Sequence, residues 1–320
     1  MFTFQSFKPT DKNYTTFTAI HNAVYPDSGL TAAACRYDDA QRNPAYHKTR
    51  DFILKDGVPI GCGEMGEAFW FGTSGTYWMH ICVHPDHRGQ GAAAAWYPVG
   101  EQKIVSRGGK QIMAETLESC VPAMQMLKRR GFEQKMRYPR SRIDFRTLDF
   151  DALPDPTAKL ADDGIIIVSL NQMKERYSDW LARAVDISND VGLDVPRTGE
   201  YQPIPLRDFK ALINHPHSDL NGWFHAIDTN LDGDEVIGIT SQRYNPDDPH
   251  KVRVGMTGVR RAYRRRGVAT ALKLAAMRYA KSVGGHTMDT DNEENNPMYA
   301  LNLRLGFEPL PANIEFKKVL

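Results

Sequence analysis

Two stretches of this chain keep step with one another. VHPDHRGQGAAAAW (83–96) and VRRAYRRRGVATAL (259–272) each run from a valine through a short polar segment to an arginine and then Gly-x-Ala. These are Arg88, Gly91 and Ala93 in the first stretch, and Arg264, Gly267 and Ala269 in the second. Each stretch follows a strand-like run, TYWMHICV or VRVGMTGV, and leads into an apolar helical pattern. A second marker recurs downstream, LKRRGFE and LNLRLGFE. It places a glycine 43 residues after the first arginine (Arg88 to Gly131) and 42 after the second (Arg264 to Gly306). Chance does not hold two markers at matching spacing twice, so the chain is an internal duplication, and the fold of one half predicts the fold of the other.

A chain of 320 residues exceeds one comfortable hydrophobic core and suits two domains. The join is expected in TLDFDALPDPTAKLADDG (147–164), whose prolines and aspartates suit an exposed linker. This divides the chain into residues 1–150 and 151–320. After the linker, IIIVSL reads as a strand and NQMKERYSDWLARAVDI as a helix; the first half opens the same way with FTFQSF and KPTDKNYTTFTAIHNAV. Each half thus predicts strand, helix, strand hairpin, glycine loop, helix, strand, helix and terminal strands. The expected class is α+β, two units each built around a mixed sheet.

The five arginines between Val259 and Gly267 raise the question of a nucleic-acid patch. Forty basic residues against 39 acidic ones argue against it, because nucleic-acid binders usually carry a marked basic excess. Cys35, Cys62, Cys82 and Cys120 stand singly, with no C-x-x-C pair to suggest zinc or a disulfide framework. No signal-peptide pattern opens the chain and no apolar run approaches membrane-spanning length, so a cytoplasmic location is expected.

A strand that stops at Arg-x-x-Gly-x-Ala and restarts as a helix makes an anion site. The first-turn N–H groups lack intrahelical partners, and the helix dipole adds partial positive charge. Glycine and alanine let a phosphate reach those groups, while arginines attract it and bind it bidentately. The Walker loop and the Gly-x-Gly-x-x-Gly fingerprint are both missing. The pattern instead resembles the coenzyme A loop of the GNAT superfamily of N-acetyltransferases, Arg/Gln-x-x-Gly-x-Gly/Ala after a valine-ending strand. Because both halves carry it, the chain is similar to tandem GNAT proteins, the architecture also found in mycothiol synthase.

The resemblance implies acetyl-CoA as co-substrate, direct acyl transfer to the amine of a small molecule, and no metal. The implied cofactor contacts are Thr257, Val259, Arg264, Arg265, Arg266, Gly267, Val268, Ala269 and Thr270 in the second half. In the first half they are Val83, Arg88, Gly89, Gln90, Gly91, Ala92 and Ala93. Many GNAT members place an asparagine and an acid-catalytic tyrosine eleven and four residues before the downstream glycine. Those positions hold Cys120 and Leu127 in the first half, and Asn295 and Asn302 in the second. Tyr299 lies one turn before Asn302. The second half is therefore expected to be catalytic, with Asn302 standing at the tyrosine position, Tyr299 as the substitute acid, and Asp289, Asp291, Glu294 and His250 as base candidates. The first half is expected to be catalytically degenerate, and its loop either still holds a cofactor or merely packs.

The stretch from Asp228, DTNLDGDEVIGI, begins like a calcium loop but has Ile239 where the motif needs glutamate, so it reads as a hairpin turn. No Gly-x-Ser-x-Gly elbow supports a serine hydrolase. The long polar segment 189–224 reads as a substrate-shaping lid with one short helix at LRDFKALI. Asp194, Arg197, Glu200, Tyr201 and Trp223 would suit it to a polar or cationic small molecule. The rival function is a non-catalytic acyl-CoA-binding or sensing protein, and the expected assembly is a monomer resembling a dimer, or a homodimer.

Overall fold

The run TYWMHICV alternates its side chains, and it forms the strand β4 (Thr76–Val83) on which the first repeat is organised. The computed structural model of the chain describes residues 1–27, 29–245 and 247–320. In the first repeat the order is β1 (Phe2–Ser6), α1 (Asp11–Val24), α2 (Ala32–Gln41), β2 (Lys48–Lys55), β3 (Val58–Glu67) and β4. Then follow α3 (Ala92–Val105), β5 (Gln111–Leu117), α4 (Val121–Arg129) and β6 (Glu133–Asp144). The second repeat runs α5 (Thr157–Asp162), β7 (Ile165–Ser169), α6 (Leu170–Arg176), α7 (Trp180–Gly192), α8 (Leu206–Ile213), β8 (Phe224–Asp228), β9 (Glu235–Asn245) and β10 (Asp248–Val259). It ends with α9 (Val268–Ser282), β11 (Thr287–Asp291), α10 (Pro297–Arg304) and β12 (Glu308–Val319).

The chain divides into two compact units that interleave along the sequence. The first comprises Met1–Tyr138, Arg197–Gln202 and Pro311–Leu320; the second comprises Pro139–Pro196 and Pro203–Leu310. In the first unit β1 to β4 pair antiparallel in order, and β4 then pairs parallel with β5. That parallel pairing covers only Thr76–Trp78 against Gln111–Met113, after which the strands separate. The far edge of β5 pairs with residues 313–319 of β12, so the unit takes its last strand from the end of the chain. The second unit repeats the scheme: β7 to β10 antiparallel, a short parallel stretch between β10 and β11, and residues 140–144 of β6 on the far side of β11. Both units are thus α+β with a mixed sheet, as the duplicated pattern requires.

Two departures have local causes. The helix expected over 171–187 is two, α6 and α7, broken where Tyr177 adopts an extended backbone. The Tyr177 hydroxyl donates to Asp234 at 2.5 Å, and Arg176 reaches the same carboxylate, which holds the break open. The linker 147–164 is not wholly irregular: Thr157–Asp162 form α5, anchored by buried Leu160. In α3, Pro98 has no N–H to give the carbonyl of Ala94. Arg130 supplies one instead, its guanidinium 3.3 Å from that oxygen. Buried Trp96, Tyr97 and Ile104 hold α3 on the sheet, each contributing about 2 kcal/mol.

Candidate active site

In the first unit, β4 ends at Val83 and the chain makes a 3-10 turn over Pro85–His87. It then passes Gly89 (φ +73°) and Gly91 (φ +87°), both left-handed, and enters α3. No side chain caps this helix, so the N–H groups of Ala92, Ala93 and Ala94 face outward as unused donors. Arg88 folds back and donates from Nε to the carbonyl of Val83 at 3.2 Å, which ties the strand end to the loop. A Cβ added at Gly89 or Gly91 would meet nothing within 4 Å, so the loop is open. Where β4 and β5 separate, a cavity of about 690 Å³ is lined by Tyr25, His80, Gly89, Ala93, Cys120 and Leu127 among others. The volume is that of an ordinary ligand cleft. The positions expected to hold an asparagine and a tyrosine therefore line it as cysteine and leucine.

The second loop has the same backbone and different surroundings. Val259 ends β10, Arg261–Tyr263 make the 3-10 turn, and Arg264 Nε donates to the Val259 carbonyl at 3.0 Å. Arg265 (φ +63°) takes the left-handed place of Gly89, and Gly267 (φ +91°) that of Gly91. The arginines are largely engaged. Arg260 bonds Asp186 at 2.6 Å and approaches Glu235 at 3.4 Å and Asp190 at 3.6 Å. Arg261 and Arg264 both bind Asp194, and these hydrogen bonds hold its carboxyl down to about 2. Arg266 lies over the Tyr263 ring at 5.3 Å. A Cβ at Gly267 would stand 2.9 Å from Pro156, so the linker packs against this glycine.

Most of the other residues singled out in the second half also have partners. Asp289 receives a bidentate pair from Arg142 at 2.6 and 2.7 Å, and Asp291 binds Arg253 at 2.8 Å. His250 Nδ1 lies 3.0 Å from the Gly284 carbonyl and its ring stacks on His286. Asn295 donates to Glu293, and Glu294 is exposed beside it. Tyr299 is half-buried on α10; Asn302, one turn on, is fully buried and donates to Asn292 at 2.7 Å. The Asn302 Oδ1 is buried without a partner. Thr257 and Thr240 share a 2.8 Å hydrogen bond. Trp223 is buried and donates to the Gln242 carbonyl, so it belongs to the core and not to a lid. Within the same segment α8 forms over LRDFKALI as read.

Sequence reasoning passed over one cluster. His80 on β4 sits directly opposite Glu64 on β3, with Nδ1 3.9 Å from the carboxylate. The Tyr25 hydroxyl, at the end of α1, lies 3.0 Å from His80 Nε2, and the two rings stack. Cys82 Sγ is 3.5 Å from the same imidazole. Burial alone would push His80 down, but Cys82, Glu64 and Tyr25 outweigh it and raise it well above its ordinary value. Burial likewise opposes the charge on Glu64, yet His80, Lys48 and Arg50 hold its carboxyl well below the usual range. In TYWMHICV, His80 falls in phase with Cys82, on the strand face opposite Tyr77 and Met79. Among the described residues, no group of three or more His, Cys, Asp or Glu side chains could hold a metal ion, and no helix is long and apolar enough to cross a membrane.

Comparison with known proteins agrees with this geometry. The model of the acetyltransferase (GNAT) family matches residues 11–132 and 192–307. No curated protein matches the sequence. Among solved structures, a tandem GNAT protein from the clavulanic acid biosynthesis pathway superposes with a TM-score of 0.77 at 16% identity, covering 100% of this chain and 98% of its own. A GCN5-related N-acetyltransferase from Sphaerobacter thermophilus gives 0.72 at 16% identity, covering 99% and 95%. A glucosamine N-acetyltransferase region of a fungal multi-domain β-N-acetylglucosaminidase gives 0.67 at 12% identity, covering 99% of this chain and 38% of that one. With one family match in each repeat, and a glycine loop feeding a helix in both, the chain belongs to the GNAT acetyltransferase family as a tandem of two such domains.

Proposed function

We propose that this chain transfers an acetyl group from acetyl-CoA to the amine of a small molecule, and that the thioester is held in the cleft of the first unit. The observation that carries this reading is the contrast between the loops: Gly89 and Gly91 border open space and a 690 Å³ cleft, whereas Pro156 stands over Gly267. The N–H groups of Ala92, Ala93 and Ala94 would hold the pyrophosphate. The apolar walls formed by Leu117, Met126 and Phe132 would exclude water from the pantetheine arm. This departs from the expectation that the second half is the working copy, because Arg260, Arg261 and Arg264 there already have carboxylate partners.

The test is calorimetric titration of acetyl-CoA into the wild type, Ala94→Glu and Thr270→Glu. Both positions lie in the first turn of a helix, where glutamate favours folding but repels phosphate. Loss of binding in Ala94→Glu alone supports the reading; loss in Thr270→Glu alone overturns it in favour of the second unit. The absence of a tyrosine at Leu127 and Asn302 favours one rival, binding without turnover. Thiol release dependent on an added amine excludes that rival.

A further inference from the structure

The wall of the first unit's cleft includes Tyr25 and His80, members of a set of groups suited to moving a proton. Along β4, Met79, Ile81 and Val83 pack toward α3, while His80 and Cys82 face the side covered by α1 and α2. The His80 side chain keeps 27% of its surface exposed, and both His80 and Tyr25 line the cavity. Behind His80, Glu64 is nearly buried and receives Arg50 Nε at 2.7 Å, with Lys48 at 3.7 Å. Asp39 of α2 completes the group, bonded to both Lys48 and Arg50. Two carboxylates thus face two cations, Cys62 and His80 hold the Cys82 thiol well below its ordinary value, and His80 is the imidazole of the group that reaches the cleft.

Resting on the reading that this cleft holds the acyl donor, we propose that Tyr25 and His80 form the proton relay for the acceptor amine, with Glu64 as the residue that positions His80. As the amine nitrogen bonds to the thioester carbon and the carbon–sulfur bond breaks, the amine gives a proton to the Tyr25 oxygen. Tyr25 passes its own hydroxyl proton to His80 Nε2. The imidazolium so formed faces Glu64, and its proton is the one the departing thiolate takes up through the same hydroxyl. One proton leaves nitrogen, one arrives at sulfur, and the side chains end as they began. The Tyr25 hydroxyl and His80 Nε2, 3.0 Å apart, are within the hydrogen-bond reach that passage of a proton between them requires.

A purely structural role is the competing explanation, because buried histidines often only satisfy a carboxylate. The pH profile separates the two. The groups facing His80 are His21 and Tyr25 from α1, Cys62 and Glu64 from β3, and Cys82 from its own strand, with Arg50, Lys48 and Asp39 behind them. Burial lowers His80, but of these groups Cys82, Glu64 and Tyr25 outweigh it and raise the imidazole, and the relay requires it neutral. Activity therefore falls as pH drops through a midpoint above the ordinary histidine value of 6.5.

The experiment measures amine-dependent thiol release from acetyl-CoA with spermidine, glucosamine and tyramine as acceptors, alongside calorimetric acetyl-CoA binding. His80→Gln is expected to lower kcat by about 100-fold and abolish the acidic limb, with acetyl-CoA affinity unchanged within about twofold. Tyr25→Phe removes only the hydroxyl and is expected to lower kcat by about tenfold, a conservative check should His80→Gln fold poorly. A His80→Gln or Tyr25→Phe enzyme that keeps both wild-type kcat and pH limb overturns the relay. A wild type that binds acetyl-CoA, loses it in Ala94→Glu and yet releases no thiol with any of the three amines overturns the relay while the binding site stands. A wild type whose binding survives Ala94→Glu overturns the site and the relay together.

Discussion

The two glycine loops share a backbone and differ in everything around it. Each strand ends at a valine whose carbonyl accepts from the repeat arginine, Arg88 or Arg264, and each helix starts after a left-handed glycine. Around the first loop lie open space and a cleft; around the second lie Asp194, the α7 carboxylates and Pro156. A phosphate-loop motif therefore specifies a local conformation, and its freedom to bind is set by residues that the motif does not contain. The copy with more arginines is the more neutralised one. A positive charge already paired with a carboxylate offers a ligand little, because the ligand must first displace that partner.

The comparison can be broken most sharply at the helix start. Ala94→Glu is expected to weaken acetyl-CoA binding about 100-fold, the effect of roughly 3 kcal/mol of like-charge repulsion a few ångströms from the phosphates. Calorimetry reads it, and an unchanged affinity would mean that the open loop is not the anion site. A second contrast concerns the helix that follows each loop, where Lys273 stands at the position matching Tyr97. Lys273 is fully buried, and burial pushes its amine down to about 7. Its folded value lies below the unfolded one, so the unfolded chain binds more protons between pH 7 and about 10.5, and stability rises with pH across that window. Lys273→Met is expected to stabilise the protein by about 2 kcal/mol at pH 7 and to flatten that slope, as seen by thermal melts at several pH values.

Asp194→Asn sharpens the comparison from the other side by freeing Arg261 and Arg264. Affinity of the second loop for inorganic pyrophosphate, measured in the Ala94→Glu background, is expected to rise about tenfold. No change would mean that Pro156, and not Asp194, closes the loop. The smallest effect belongs to the backbone: Arg265 is left-handed where the first copy has Gly89. Arg265→Gly relieves strain of about 1 kcal/mol, part of which the greater freedom of the unfolded chain offsets, so a small rise in denaturant midpoint is expected.

Much of the fold was legible because it is local. Strand alternation, the turn forced by Gly91 and Gly267, and the helical runs after them all act over a few residues, so β4, α1, β7 and α8 lie where the pattern puts them. The break between α6 and α7 was not legible, since it depends on Tyr177 meeting Asp234, more than fifty residues away. Nor were the partners of the arginines. Asp186, Asp190 and Asp194 sit some seventy residues before them and read in the sequence as solvated helix or lid charges. The His80 cluster is scattered over residues 25, 64, 80 and 82 on three elements, with no spacing to mark it.

By itself, the sequence determined that there are two copies of one α+β unit and that each presents a strand-to-helix glycine loop. Periodicity, left-handed turns and the duplication are properties of the chain's own order. Only the tertiary structure decided which loop stands open, which charges are spent, and that Tyr25 and His80 meet at one cleft with Glu64 behind them. Those outcomes depend on distances between residues far apart in sequence, and electrostatic and hydrogen-bond energies follow distance in space.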